Sequence, residues 1–417
     1  MNIRKHIYKI KKYFHFLSFP YRKLKSLKNK NEKNQKLFRD IKNISIVLLC
    51  NFLFIIVWVN RAKFYPDNIM LYIKSVFNPG ICNCRFPYST DGNTISAENF
   101  QLCENNIVAL GNTSFDIMSK NGKILKSEKH SFSNPCLKSS GLREIIYDRG
   151  GTNFKIESSS DTIFEGSADK NIISCDISEN GVFAVAKQSI SHLAEMIVYN
   201  KNGKEKYKYC FSDYYISDIT LNSFGTESAA CGICSNNGNI NSNVYIINFN
   251  SETPKHQFLL EDNMVMKVEY LSNGNIVAIG DKYTAFLNTN SNTTIKFDYE
   301  NKLLKFYSIY PQDSLCLCLS SSVNETGEDE IIALDNYGKE LCKIKTTESF
   351  SGISKHKNRI IGITKDKIMS YNSYGNYEGY LDFPNNAKKI ILASHSNAFT
   401  LENGTINKVK IKNLKRD

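Results

Sequence analysis

From about residue 92 onward, apolar positions fall in short runs of five to seven residues separated by Asn, Gly, Asp and Ser. Runs of that length, bounded by turn formers, predict β-strands. Two elements recur. The first is an apolar run entered through a polar turn: Glu104-Asn105-Asn106 before IVALG, Ser178-Glu179-Asn180-Gly181 before VFAVA, and Ser272-Asn273-Gly274 before NIVAIG. The second is a strand that ends in a tight polar turn, at Gly122, Gly203, Gly338 and Gly375. Such hairpin turns need positive φ, which glycine adopts at little cost. Weaker copies near Ser159, Ser251 and Ser291 give spacings of 37, 44, 48, 40, 47 and 37 residues.

A period of roughly 40–45 residues is the length of a four-stranded propeller blade. Helical solenoids share that period, but these segments lack helical spacing. A lone blade exposes both faces, and stacking blades in a ring buries them. Seven blades count from near residue 98, followed by a shorter piece. Residues 388–411 supply about three strands, and residues 85–96 are expected to provide the fourth and close the ring. The expected fold is all-β: a β-propeller of about eight four-stranded blades, with seven as the alternative, preceded by one transmembrane helix.

Upstream the pattern changes. Residues 44–59 read ISIVLLCNFLFIIVWV, and Lys42 and Arg61 bracket 18 uncharged residues. At 1.5 Å per residue this stretch is roughly 27 Å long as a helix, near the thickness of a bilayer core. Ile44, Leu48, Phe52, Ile56 and Trp58 mark the expected membrane anchor, with the Trp58 indole at headgroup level. A core helix would carry a polar face, and a cleaved signal peptide would have a shorter basic region and a small-x-small site after Val59. A retained signal anchor is therefore expected. Residues 67–77 (DNIMLYIKSVF) read as a short amphipathic helix, capped by Asp67 and stopped at Asn78-Pro79-Gly80. The expected organisation is a basic cytosolic segment (1–43), a transmembrane helix (44–60), a juxtamembrane segment (61–84) and an extracytoplasmic propeller (85–417).

Charge supports this orientation. The net charge is +12, and residues 1–43 alone hold 14 Lys/Arg against Glu32 and Asp40. The remainder is balanced, with 39 bases and 39 acids. A surplus confined to one side of an apolar run is the positive-inside pattern, so the chain is expected in the cell membrane, single-pass, with a cytosolic N-terminus. Tyr8, Tyr13, Phe14, Phe16, Phe19 and Tyr21 interleave with the bases, which suits anionic lipid headgroups. A nucleic-acid partner is disfavoured, because the surplus of positive charge does not extend into the folded part.

No supported catalytic, cofactor-binding or metal set emerges. The seven histidines are scattered, and HExxH, GxSxG, GxGxxG and P-loop patterns are absent. Residues 167–170 and 354–357 match S-x-x-K without its companion motifs. Cys231 and Cys234 match C-x-x-C once, with no second pair at zinc spacing. Cys316 and Cys318 alternate on one strand face and read as core thiols. Cys82 and Cys84 either pair with a distant partner such as Cys103 or stay reduced. Residues 324–330 (NETGEDE) form an acidic loop that is a weak calcium candidate, with solvated-loop character the simpler reading. Trp is missing beyond residue 58, which removes the Trp-Asp signature of WD40 repeats.

Phe86-Pro87, residues 130–138 (HSFSNPCLK) and residues 146–151 (IYDRGG) follow the span in an order that resembles an uncharacterised family. It is a domain-of-unknown-function family of membrane-anchored propeller proteins from Gram-positive bacteria. The resemblance covers about residues 44–410. It implies topology and fold and brings no activity; the long basic-aromatic N-terminus departs from it. Asp148-Arg149-Gly150-Gly151 joins two strand-like runs. As a turn, Asp148 accepts backbone N–H groups and a glycine goes left-handed. As a contact site, Asp148 and Arg149 meet an anion or partner at the ring surface.

A propeller by itself does not define a function. The expectation is a binding or scaffold module in the cell envelope, holding an envelope protein or wall polymer. The alternatives are an extracytoplasmic enzyme with a channel site, or a sensor coupling the ectodomain to the basic tail.

Overall fold

The computed structural model describes residues 32–59, 61–83, 85–104, 106–236, 238–310, 314–321, 328–383 and 386–416. The aromatic positions expected on headgroups, Cys84, and residues 324–327 of the acidic loop lie outside the described residues. The chain forms two compact units, Met1–Phe64 and Tyr65–Asp417.

The first unit carries helix α1 (Glu32–Val59) and a 3-10 turn, Arg61–Phe64. The helix begins well before residue 44, because the polar positions preceding the apolar run continue the same helix. Its segment Phe38–Trp58 is long and apolar enough to cross a membrane, with mean hydropathy 2.1 and 0% of it buried. Ile44, Leu48, Phe52, Ile56 and Trp58 are all exposed. Trp58 stacks on Phe54 at 5.9 Å, and the Arg61 guanidinium sits 5.2 Å above the indole.

The second unit opens with helix α2 (Pro66–Phe77) and continues into eight antiparallel sheets. Asp67 does not cap α2. The N-cap position is Tyr65, with no side-chain cap bond, and Pro66 is the first helical residue. Proline is preset for that position, so the helix starts one residue early and Asp67 pairs with Lys201 instead.

The sheets are the blades of the propeller. Blades 1–7 span residues 95–129, 135–167, 172–211, 215–260, 265–298, 303–346 and 352–382. Blade 8 takes three strands from residues 387–410, and Tyr88–Ser89 completes it by pairing with Thr405–Lys410. The ring therefore closes as the sequence predicts. Blade 1 gains an extra outer strand, Cys82–Asn83.

Eight apolar clusters hold the ring, each straddling two neighbouring blades. Phe183 of blade 3 packs with Ile145 and Tyr147 of blade 2, and Phe399 of blade 8 packs with Phe100 of blade 1. A middle strand has a blade on each side. Asn106–Gly111, Ser314–Ser320 and Arg359–Ile363 are accordingly buried at every residue. Double burial explains why these runs read as continuously apolar.

The glycine turns join third strands to fourth strands. At Gly122, Gly203, Gly338 and Gly375, φ is 86°, 76°, 83° and 82°. Each N–H donates to the carbonyl three residues back, at 2.9–3.1 Å, and a one-residue register slip follows. This is a type I turn closed by a left-handed residue. Gly274, in a first-to-second-strand turn, has φ 83° and nothing within 4 Å of a built Cβ. Gly274→Ala therefore isolates the backbone cost. It is expected to lower stability by about 1 kcal/mol in denaturant titration, and an unchanged midpoint would contradict the left-handed assignment.

Candidate functional site

The first strand of each blade is innermost, so its free edge faces the ring axis. In blades 3, 4, 5, 6 and 8 this strand carries a register slip near its start: Ile172/Ser174, Ile216/Asp218, Val265/Lys267, Leu304/Phe306 and Ala387/Lys389. A bulge turns the strand and re-aims the side chain beyond it. Four of the five residues just past the slip are polar: Ser174, Asp218, Lys267 and Lys389.

Ser174, Asp218 and Lys267 meet at the axis. Lys138 of blade 2 places its Nζ 2.6 Å from Asp218 Oδ1 of blade 4, two blades away, and also donates to the Ile219 carbonyl. Ser174 Oγ of blade 3 donates to the same Asp218 oxygen at 2.9 Å. From blade 5, the Val268 N–H donates to Oδ2 at 3.2 Å, and Lys267 Nζ lies 3.6 Å from it. Lys267 also pairs with Glu269 at 3.4 Å. Asp218 thus gathers groups from blades 2, 3 and 5.

Electrostatics follow from this crowding. Burial alone would raise the Asp218 pKa, but Lys138 and Lys267 hold it well below the usual carboxylate range. Burial works against the charge of Lys267, yet Asp218, Glu269 and their neighbours keep it firmly protonated. Burial lifts Asp176 to about 6, with Lys138 opposing and Glu269 adding to the rise. Tyr307 of blade 6 is pushed up to about 12, chiefly by burial and despite Lys267. Lys389 donates to the Ala97 carbonyl at 2.6 Å. Its side chain is half-buried, and burial lowers its pKa to about 8 against the pull of Glu98. Asp176 and Lys389 are thus groups near the axis whose charge changes around neutral pH.

Of the family-like residues, Lys138 belongs to this network and Phe86 packs on Phe399 of blade 8. The Ser-Asn-Pro and Asp-Arg-Gly-Gly steps meet at one corner of blade 2. Asp148 Oδ1 accepts the Asn134 N–H at 2.7 Å, and the Arg149 N–H donates to the Asn134 carbonyl at 2.9 Å. Residues 130–135 and 148–151 are therefore two halves of one turn assembly. Gly150 is left-handed, with φ 86°. A Cβ on Gly151 would fall 2.3 Å from Asp148 Oδ2, so that position cannot carry a side chain without displacing the aspartate. Asp148 is buried and Arg149 exposed, its guanidinium 3.5 Å from the Tyr147 hydroxyl. The turn reading holds for Asp148; Arg149 alone of the two offers a surface contact.

The other candidates resolve as structure. Cys316 and Cys318 share one core cluster, and Cys231 is buried while Cys234 is half-buried on the same strand. Cys82 and Cys103 are free thiols, one exposed and one buried. Among the described residues, no three His, Cys, Asp or Glu side chains are grouped to hold a metal ion. Asp329 and Glu330 are strand residues: Asp329 binds Lys305 at 2.8 Å, and Glu330 binds Lys302 at 2.7 Å. Both are already neutralised by lysines, so neither is free to take up a cation in a loop. The axial network was missed in the sequence. Its signal was one or two charged residues inside otherwise apolar strands such as ISDITL and VMKVEY, which periodicity alone treats as noise.

Eight four-stranded blades around a charged axis define a β-propeller. The chain belongs to the family of unknown function DUF5711, whose model matches residues 87–411. Among solved structures, it is similar to the C-terminal WD40 domain of Sif2, with TM-score 0.55 and 10% identity, covering 79% of this chain and 99% of that one. It also matches BamB from Moraxella catarrhalis, with TM-score 0.49 and 9% identity, covering 78% and 99%. No curated protein matches the chain in sequence.

Proposed function

We propose that the chain is a membrane-anchored extracytoplasmic propeller that serves as a binding or scaffold module in the cell envelope. The observation that carries this is the exposed, bilayer-length apolar helix, which separates all the surplus positive charge from a neutral eight-bladed ring. Positive charge stays on the cytosolic side, so the ring emerges outside. The core of the axial network is engaged in pairing with itself and braces the ring. Ligand contact then falls to the loops, where Arg149 stands exposed between second and third strands. The partner is an envelope protein or a wall polymer.

Cross-linking in intact cells, followed by recovery of the full chain from solubilised envelopes, tests this. A single recurring partner, depleted several-fold by Arg149→Glu, is the expected result. Consistently empty recoveries would reject the module. A ring resistant to external protease in intact cells but cut after permeabilisation would reject the orientation.

A second reading, an enzyme working from the channel, draws on Asp176, Glu98, Tyr307 and Lys389 lying around the axis. Its mark would be a turnover lost in Lys389→Met with the fold retained.

A further inference from the structure

Helix α2 is inside out for a helix packed on a folded domain. A surface helix normally turns its apolar stripe inward. Here the stripe facing the blades is Asn68, Leu71, Ser75 and Asn78, mostly polar. The outward positions are Ile69, Met70, Tyr72, Ile73, Val76 and Phe77, all exposed, Phe77 to 75%.

Polar contacts hold the helix on the ring. Arg143 Nη1 donates to Asn68 Oδ1 at 2.5 Å, and Asn68 Nδ2 donates to the Glu179 carbonyl at 2.9 Å. Asp67 pairs with Lys201, Lys74 pairs with Asp161 at 2.8 Å, and Lys123 Nζ donates to the Asn78 carbonyl at 2.7 Å. Blades 1, 2 and 3 therefore fix the orientation of the helix, and that orientation presents its apolar side outward. An apolar patch of this extent on a rigidly held element marks a contact surface.

We infer that α2 is an interfacial helix, whose outward side lies in the headgroup region of a bilayer and seats the adjoining ring face on it. The inference rests on the anchoring proposed above. Three features favour lipid as the occupant. Only six residues, 60–65, join α1 to α2, and a chain of that length reaches at most roughly 20 Å. If α1 spans a membrane, covalent geometry keeps α2 near its surface. The joining segment exposes Phe64 and Tyr65. Finally, α2 contacts turns that join first to second and third to fourth strands. On the same ring face, Tyr337 and Tyr374 stand at third-to-fourth turns of blades 6 and 7, exposed to 56% and 80%. Tyrosine is favoured at membrane interfaces, and a second copy covering α2 would leave these two unexplained.

The chain has one tryptophan, Trp58, which makes the test direct. The full chain is reconstituted in phosphatidylcholine–phosphatidylglycerol vesicles whose acyl chains carry bromine near the headgroup. Wild type reports on the span. Trp58→Phe combined with Phe77→Trp reports on α2, with Val76→Trp as a second reporter; both positions are exposed, so the fold tolerates them. Emission at position 77 is expected to shift to the blue and lose roughly half its intensity to bromine. Quenching at position 58 but not at 76 or 77 overturns the inference and leaves the anchor standing, as does a stable dimer that shields position 77. Quenching at 77 without 58 upholds the interfacial helix and removes the anchor. Quenching at neither removes both.

Discussion

Asp218→Ala is expected to destabilise the propeller by roughly 3–5 kcal/mol, the cost of leaving buried charge uncompensated. Asp218 neutralises Lys138 and Lys267 and accepts hydrogen bonds from Ser174 and the Val268 N–H. Alanine removes the acceptor of all these contacts at once and leaves the Lys138 ammonium of blade 2 without its carboxylate. Asp218→Asn keeps the shape and loses the charge, and should fall between alanine and wild type. Pairing Asp218→Leu with Lys138→Met removes both charges together and is expected to recover much of the loss. Denaturant unfolding of the detergent-solubilised chain measures all of these. A midpoint for Asp218→Ala within error of wild type would mean the network contributes nothing to the ring.

Glu144→Gln should flatten the stability profile between about pH 5 and about pH 8. Glu144 and Glu157 stand directly opposite on adjacent strands of blade 2, both fully shielded. Glu157 receives Lys126 at 2.5 Å and the Thr162 hydroxyl at 2.8 Å, whereas Glu144 Oε2 has no hydrogen-bond partner. Burial, and then the Glu157 charge, push the Glu144 pKa up to about 8. The folded chain therefore keeps this carboxyl neutral through pH 7, while the unfolded chain ionises it above about 4.5. Its stabilising effect is complete below that unfolded value and is lost as pH rises towards about 8. Each pH unit in the window costs about 1.4 kcal/mol. Glutamine does not titrate, so the variant should gain on wild type steadily from pH 5 to pH 8 in thermal unfolding. Parallel profiles would show that Glu144 is ionised in the fold.

Much of the architecture is legible in the sequence because its signals are local. Gly122, Gly203, Gly338 and Gly375 share one left-handed turn geometry, and it recurs at the same place in four of the eight blades. A closing strand was expected from residues 85–96 because residues 388–411 left a blade one strand short, and Tyr88–Ser89 supplies it. The axial site was not legible. Lys138 and Asp218 are 80 residues apart in the chain, and only ring closure and the bulges bring them together. Asp67 shows the same limit at short range: it has the character of a cap, but Pro66 takes the first helical position and Lys201 takes the carboxylate. Asp329 and Glu330 looked like loop acids because local pattern does not reveal the lysines that neutralise them.

The way blade 8 is assembled governs how this protein can be made. Its outermost strand is synthesised among the earliest residues of the ring and its other three among the last. Until those three exist, blades 1 and 7 each present a bare greasy flank, and nothing shields either one. A product truncated before residue 387 would not be a smaller propeller but an open arc with two sticky ends. Quality control has a simple cue to read, because completion of the ring and loss of that stickiness are the same event.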